Sequence, residues 1–468
     1  MSFLFMNTER KLLCLPIELY KREMLPKLYL GINAAQKGYQ VLLGFTDDPV
    51  FDHVKDGFYL YKDHAYCSID RLTKQKSKNM FIGALDEEGL IYDEKTYATT
   101  RGAKELLDSV DAVFLWGENQ FNLVQKISDK KDNKYIVGSP KFDLYKKLKR
   151  NIKNSNNKIS ILVNTRFVYS NGLKGEAELI EVLKNLGYIK NSADEQNIKI
   201  KIQDDIKIFN EFDFFINKIS VNPLFDIVIR PHPAENLNFY KKYEKLSSNI
   251  KVDNESPMLK QILESDFIVH DGCTTAIEAR ALGVPVFGLR PDNLLNPYDA
   301  YANSYSFNFK SADSLLDFII SNDSQSWFDI MPEIDELARK RISNWNGHKS
   351  AVDEIIQFLD TLPINKQDIF SLNGKSIKIK FKNFNYKLLY IMSNFYGFGF
   401  IFKKILGDRK IEKFISDYYM GISKFSDKST KQFNEDLEYL CDLMLCQKPN
   451  IIQVSQRSYL LYYNDVSV

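Results

Sequence analysis

The 468-residue sequence is poor in cysteine: Cys14, Cys67, Cys273, Cys441 and Cys446 are scattered, odd in number and never spaced as C-x-x-C. That argues against a disulfide framework and a thiolate zinc site, so no metal is expected and a reducing, cytoplasmic setting fits best. No apolar run reaches the length of a membrane span. The nearest, LLYIMSNFYGFGFIF at 388–402, is broken by Ser393, Asn394 and two glycines. Lys382, Lys387, Lys403, Lys404, Arg409 and Lys410 flank it. It reads either as a peripheral contact with the anionic inner-membrane surface or as an aromatic domain-packing segment. Neither sign of charge is in excess: 63 basic residues stand against 61 acidic, a net +2, which gives no support for a nucleic-acid partner. The N-terminus has no basic stretch followed by a clean apolar one, so a signal peptide is not expected. Internal repeats and long low-complexity segments are missing as well, and the oligomeric state stays open.

What is present is a succession of short apolar strands separated by helical periods. The length calls for more than one domain. KLLCLPI at 11–17 reads as a strand, and apolar residues at Leu25, Leu28, Tyr29, Ile32 and Ala35 then keep helical spacing. Gly38 suits a left-handed helix cap, and YQVLLG follows as a second strand. Such a βαβ start implies a parallel sheet. Further strands are predicted at 58–61, 80–83, 112–115 and 134–137, with a helix at 102–109. The basic, Asn-rich stretch 146–158 has no apolar face and reads as a linker or a solvated helix end. A second α/β series follows, with strands at 159–165, 226–230, 267–270 and 285–289. The expectation is an α/β chain of two Rossmann-like domains, 1–150 and 151–360, with a mostly helical C-terminal extension at 361–468.

Three motifs carry chemistry. The strand FIVH breaks into Asp271-Gly272-Cys273-Thr274-Thr275 before a helix closed by Gly283. Gly272 permits close approach of a ligand, and Thr274 and Thr275 bring hydroxyls to a helix start that favours phosphate. Equally, Thr275-x-x-Glu278 matches a capping box and Asp271 a turn former. Upstream, a strand ends in Arg230-Pro231-His232-Pro233. The prolines hold His232 with little entropy left to lose, and Arg230 offers a fork-shaped cation to phosphate. In the first domain Asp86, Glu87 and Glu88 stand directly before Gly89. They form either a solvated acidic turn or a general base whose pKa is raised by like charge and burial. Glu18, Arg22 and Glu23 follow the first strand and border the same region, with Arg22–Glu23 also explicable as a surface pair. WGENQ at 116–120 and VGSPKFD at 137–143 complete the loops.

Taken in order, LPIELYKREMLPKLYLGINAAQKGYQVLLG, LDEEGL, WGENQ, VGSPKFD, ILVNTRF, RPHP and HDGCTTAIEARALGVPV resemble the bacterial surface-carbohydrate (capsule and lipopolysaccharide) biosynthesis family of GT-B glycosyltransferases, over roughly residues 12–290. The resemblance implies two Rossmann-like domains facing a central cleft, with the nucleotide donor held by the second. It also implies metal-independent transfer of a sugar, such as the acidic ulosonic sugar Kdo from a CMP donor, onto a glycan or glycolipid acceptor. No cofactor is implied beyond the nucleotide-sugar substrate. Carried onto this sequence, Glu87 or Glu88, with Asp86 beside them, would supply the catalytic carboxylate. Arg230, His232, Pro233, Asp271, Gly272, Thr274, Thr275 and Glu278 would bind the donor, and Glu18, Arg22, Glu23 and Asn164 would border the cleft. Ser139 and Lys141 depart from the Asn and Arg more usual in related chains. Two other readings remain: transfer of glycerol or ribitol phosphate from a CDP-alditol, and a non-catalytic nucleotide-sugar-binding scaffold.

Overall fold

A computed structural model describes residues 9–65, 69–90, 97–148, 158–173, 175–185, 189–295, 301–347, 349–368, 429–455 and 457–463. The aromatic stretch 388–402 therefore lies outside the described residues. The chain divides into two compact units, Met1–Lys147 with Glu336–Val468, and Leu148–Asp335.

In the first unit a short β1 (Glu9–Arg10) precedes β2 (Leu12–Ile17), β3 (Gln40–Phe45), β4 (Phe58–Tyr61), β5 (Phe81–Leu85), β6 (Ala112–Leu115) and β7 (Lys134–Ile136). Strands β2 to β7 are parallel, in the order β3-β2-β4-β5-β6-β7. Every residue of β2 is buried, which is why LLCLPI reads as a continuous apolar run rather than an alternating one. The helix Tyr20–Gln36 makes the first crossover, and Gly38, at φ +89°, turns the chain back into β3.

The second unit holds β8 (Ile159–Asn164), β9 (Phe225–Arg230), β10 (Ile250–Val252), β11 (Phe267–His270), β12 (Val286–Leu289) and β13 (Phe307–Phe309). All are parallel, in the order β10-β9-β8-β11-β12-β13. Counted from β8 this is 3-2-1-4-5-6, the order of the Rossmann sheet. The long helix Ser192–Ser220, capped by the Asn191 side chain on the Asp194 N–H, lays Ile208, Phe212, Phe215, Ile216 and Ile219 into the core. Burying each of those phenylalanines contributes about 1.5–3 kcal/mol. Register places Asn164 opposite both Arg230 and His270, so β8, β9 and β11 end level and their loops leave the sheet side by side.

After Glu336 the chain returns to the first unit. The boundary expected at 360 therefore falls too late, and the helix Ala351–Thr361 belongs with the first unit. The physical reason lies in VGSPKFD. Buried Asp143 accepts hydrogen bonds from Asn344 Nδ2 (2.7 Å), Ser350 Oγ (3.0 Å) and the Val352 N–H (2.8 Å). Gly138, at φ +89°, leaves room for Asn344, whose Oδ1 would lie 2.1 Å from any added Cβ. A short β14 (Gln367–Asp368) pairs with β1. In the described part of the extension the helix Ser429–Met444 leads into a hairpin, β15 (Asn450–Ser455) and β16 (Ser458–Tyr462). Strand β16 runs antiparallel against β3 and widens the first sheet to eight strands. Among the described residues no helix is long and apolar enough to cross a membrane.

Candidate active site

Counted from β2, the first sheet runs 2-1-3-4-5-6, so strand order reverses between β2 and β4. Open α/β sheets bind ligands outside the carboxyl ends of their strands at such a point. Glu18 follows β2, Lys62 follows β4 and Asp86–Gly89 follows β5, and a 2.5 Å ion pair joins Lys62 to Glu18.

The acidic turn is built tightly. Asp86 Oδ1 accepts the Glu88 N–H (3.0 Å), the Gly89 N–H bonds the Asp86 carbonyl (3.2 Å), and the Glu87 N–H bonds the Lys62 carbonyl (3.0 Å). A Cβ on Gly89 would lie 2.7 Å from the Trp116 indole, so LDEEGL and WGENQ pack directly on one another. The three carboxylates then part company. Asp86 is buried, and burial pushes its pKa up against the charges of His64 and Arg101. Burial would also raise Glu88, but it is held between Arg101 and Arg22, whose hydrogen bonds and charge keep it below the ordinary carboxylate range. Glu87 is about 10% exposed at its side chain, and its Oε1 lies 3.2 Å from Lys27 Nζ. Burial, with Glu23 adding like charge, raises its pKa despite Lys27 and Lys141. Among the three, Glu87 alone combines partial access with a raised pKa.

Glu23 serves the helix rather than a ligand. It is fully buried and accepts the N–H groups of Glu18 (2.9 Å) and Leu19 (3.3 Å), two donors a helix start leaves unsatisfied. Burial opposes its charge, but Lys27 and Arg22 outweigh burial and lower its pKa. Arg22 spans Glu23 (2.7 Å) and Glu88, so the pair is part of the buried cluster and not a surface pair.

In the second unit a cavity of about 550 Å3 opens at the carboxyl ends of β8, β9, β11 and β12. Its lining includes Arg166, His232, Asp271 and Arg290 from the strand ends, with Lys201 and Asp205 from the helix Ser192–Ser220. Tyr169, Leu179, Leu183, Ile208 and Leu294 supply apolar surface, and the size is that of a small-ligand site. His232 Nδ1 accepts the Ala234 N–H (3.2 Å), which leaves the ring proton on Nε2 and makes that atom a donor. Desolvation on its inner side and the charge of Arg166 lower the His232 pKa, and an accepting Nδ1 requires the neutral ring. Asp271 accepts from Arg290 (3.2 Å); burial raises its pKa, opposed by Arg290 and Arg166. Gly272 stands at φ +63°, the left-handed region that a side chain resists, and its N–H donates to Asn303 Oδ1 (2.7 Å). Beneath it His270 is fully buried between the Cys273 N–H and Ser306 Oγ, with its pKa pushed down by burial to about 3.

The remaining expected donor residues lie elsewhere. Arg230 donates to the Ser256 carbonyl (2.7 Å) and Gln261 Oε1 (2.6 Å), tying the end of β9 to the loop after β10. The cavity's arginines are Arg166 and Arg290, which motif reading missed. Thr275 Oγ1 engages Cys273 Sγ (3.2 Å) and Met258 Sδ (3.7 Å). The N-cap is Thr274, with no side-chain bond there, so Thr275-x-x-Glu278 forms no capping box. Glu278 is half-buried on that helix, and Pro233 is exposed. Asn164 is buried at the end of β8, its Oδ1 without a hydrogen-bond partner among the described residues. Lys27 and Arg101, absent from the sequence reading, and Lys141, noted there only as a departure from the usual Arg, complete the first cluster. Among the described residues no group of three or more His, Cys, Asp or Glu side chains could hold a metal ion.

No family model and no curated protein matches the sequence. Solved structures similar to it include Staphylococcus aureus MnaA with UDP, at 12% identity and a TM-score of 0.46, over 76% of this chain and 98% of that one. A Methanocaldococcus jannaschii UDP-GlcNAc 2-epimerase with UDP-GlcNAc and UDP matches at 14% identity and 0.40, over 75% and 99% of the two chains. The wall teichoic acid polymerase TagF matches at 11% identity and 0.44, over 75% and 88%.

Proposed function

We propose that the chain is a GT-B-type glycosyltransferase of surface-polysaccharide synthesis, working in the cytoplasm on a nucleotide-activated sugar and a glycan acceptor. The observation that carries this reading is the lining of the cavity in the second unit. At the switch point of a Rossmann-ordered sheet, an Nε2–H donor on neutral His232 stands with Arg166 and Arg290 in a small-ligand-sized hollow. That combination suits a phosphate ester whose negative charge grows as the glycosidic bond to it breaks. Arg166 and Arg290 hold the phosphate, and His232 donates to the departing oxygen. The apolar wall with Tyr169 takes the nucleoside. In the first unit Glu87 is the general base: its raised pKa gives it affinity for a proton, and it removes the one on the acceptor hydroxyl. Asp86 and Gly89 shape the turn that presents it, and Glu88 is spent on Arg22 and Arg101.

We assign a CMP-linked acidic sugar as the donor, following the family resemblance. Incubating the protein with CMP-, UDP- and GDP-activated sugars and a glycan acceptor, then weighing the product, tests the assignment. A product heavier by one sugar, formed only from a cytidine donor, supports it. A product that gains phosphorus, or one formed only from uridine or guanosine donors, contradicts it.

A further inference from the structure

We infer that Glu235 is a positioning residue whose single buried carboxylate sets the spacing between Arg166 and His232. This rests on the reading of the cavity as a phosphate site and extends it to a side chain behind the cavity wall. The loops that carry Arg166 and His232 follow different strands; backbone bonds tie the segments further on, at Gly172–Glu235, Leu173–Ala234 and Asn171–Asn236. Glu235 links those loops. Its Oε1 accepts both Thr165 Oγ1 (2.9 Å) and the His232 N–H (2.7 Å). Thr165 directly precedes Arg166, so one oxygen joins the turn leaving β8 to the turn leaving β9. The Thr165 N–H on the Arg230 carbonyl (3.1 Å) adds a second tie between the same turns.

Glu235 is fully buried, and a buried carboxylate is costly unless its oxygens are hydrogen-bonded. The chain meets that condition with a threonine hydroxyl, the His232 and Phe167 backbone amides and, on Oε2, the Tyr240 phenol at 2.5 Å. The two oxygens have different jobs. The Oε2 arm fastens the helix Leu237–Leu246 and serves stability, whereas the Oε1 arm reaches the backbone of the cavity loops. The Glu235 N–H also bonds the His232 carbonyl (2.9 Å), closing the turn in which the Ala234 N–H meets His232 Nδ1. Glu235 therefore acts on the site through His232: it holds the turn, and the turn keeps the imidazole proton on Nε2, toward the cavity.

Four variants separate positioning from plain stability. Glu235→Ala removes both arms. Glu235→Gln keeps an accepting Oε1 and turns its amide toward the Tyr240 oxygen. Tyr240→Phe cuts the Oε2 arm, along with the phenol's contacts to Thr165 and Asn171, but leaves the bonds to Oε1 in place, and Thr165→Val removes one of those. Three measurements are made on each: melting temperature, CMP affinity by titration, and the 15N signals of the His232 imidazole, assigned with His232→Gln. Glu235→Ala should lose the fixed Nε2–H tautomer and bind CMP about tenfold or more weakly. Glu235→Gln should restore both readouts. Tyr240→Phe should melt earlier with both readouts intact. If Glu235→Ala does not fold, Thr165→Val decides, with an affinity loss of about threefold expected. The inference is overturned if folded Glu235→Ala keeps the His232 spectrum and CMP affinity, if Tyr240→Phe disturbs them as much, or if Thr165→Val leaves affinity unchanged when it must decide. Should the native protein bind no CMP, the donor reading fails, while the imidazole spectra still decide the role of Glu235.

Discussion

Replacing Glu87 with glutamine removes the proposed base and almost nothing else. Glu87 Oε1 lies 3.2 Å from the buried Lys27 ammonium, which also has Glu23 at 3.6 Å and the Pro16 carbonyl. Breaking a buried ion pair outright costs about 3–5 kcal/mol because it strands a charge. Here Lys27 keeps Glu23, and glutamine no longer bears the penalty that raises the Glu87 pKa, so the net cost falls to about 1 kcal/mol. For units of this size that lowers the melting temperature by roughly 2–4 °C. Catalysis should suffer far more, since loss of a general base removes about 100- to 10,000-fold of rate, or about 3–5 kcal/mol of barrier. Glu88→Gln is the matched control. Its carboxylate, 31% exposed, is committed to Arg22 and Arg101, so its loss should cost less than about tenfold in rate. The assay is the initial rate of nucleotide release from an activated sugar in the presence of acceptor, with product mass confirming transfer. A folded Glu87→Gln that works at the native rate, or a Glu88→Gln that loses more than Glu87→Gln, would refute the assignment.

The acid limb of the kcat/KM profile should lie above the ordinary carboxylate range, because a base with a raised pKa is protonated, and idle, at pH values where a free glutamate is already ionised. Lys27→Met removes a positive neighbour, so that limb should move to higher pH; a shift to lower pH contradicts the sign of the coupling. Asp205 carries a pKa raised by burial to about 6, opposed by hydrogen bonds from Ser170, so the cost of its charge is felt as pH climbs from the unfolded-state value through 6. Asp205→Asn should therefore gain about 1–2 kcal/mol on the native protein between pH 4.5 and 7.5 in urea denaturation, and no gain would remove burial as the cause. Gly89→Ala should cost about 1–3 kcal/mol by driving a methyl into Trp116, with Gly89→Ala/Trp116→Leu recovering most of it; an unchanged melting temperature would show the turn has slack.

Most of the scaffold was legible because its strands are local signals. LLCLPI, FIVH and DIVIR are short apolar runs between turn residues, and the observed strands lie within a few residues of them. Long-range pairing was not legible. That β16 would join β3 depends on a contact between opposite ends of the chain, which no local period reports. The site divides in the same way. The acidic turn and RPHP announce themselves by composition and by their place at strand ends. Which carboxylate is the base depends on Arg22, Lys27, Arg101 and Lys141, brought in from separate elements. Arg230 drew attention by standing two residues before the histidine, but its guanidinium is committed to the Ser256 carbonyl and Gln261 beyond β10. Arg166 and Arg290 carry no signal that marks them out in sequence; the level ends of β8, β9 and β11, with Glu235 behind them, bring Arg166 and the histidine to one cavity. Asp143 and Asn344 lie far apart in sequence and fix the return of the chain together.

The central claim is that the cavity outside β8, β9 and β11 holds the phosphate of a nucleotide through Arg166 and His232. Titration calorimetry of CMP, CDP, UDP and GDP against the native protein, Arg166→Ala and His232→Ala tests it directly. The expected result is saturable binding of a cytidine nucleotide to the native protein, weakened about tenfold or more in each variant, as loss of a charged or well-aligned hydrogen bond requires. Absence of binding by all four nucleotides, or equal binding by the native protein and both variants, would contradict it.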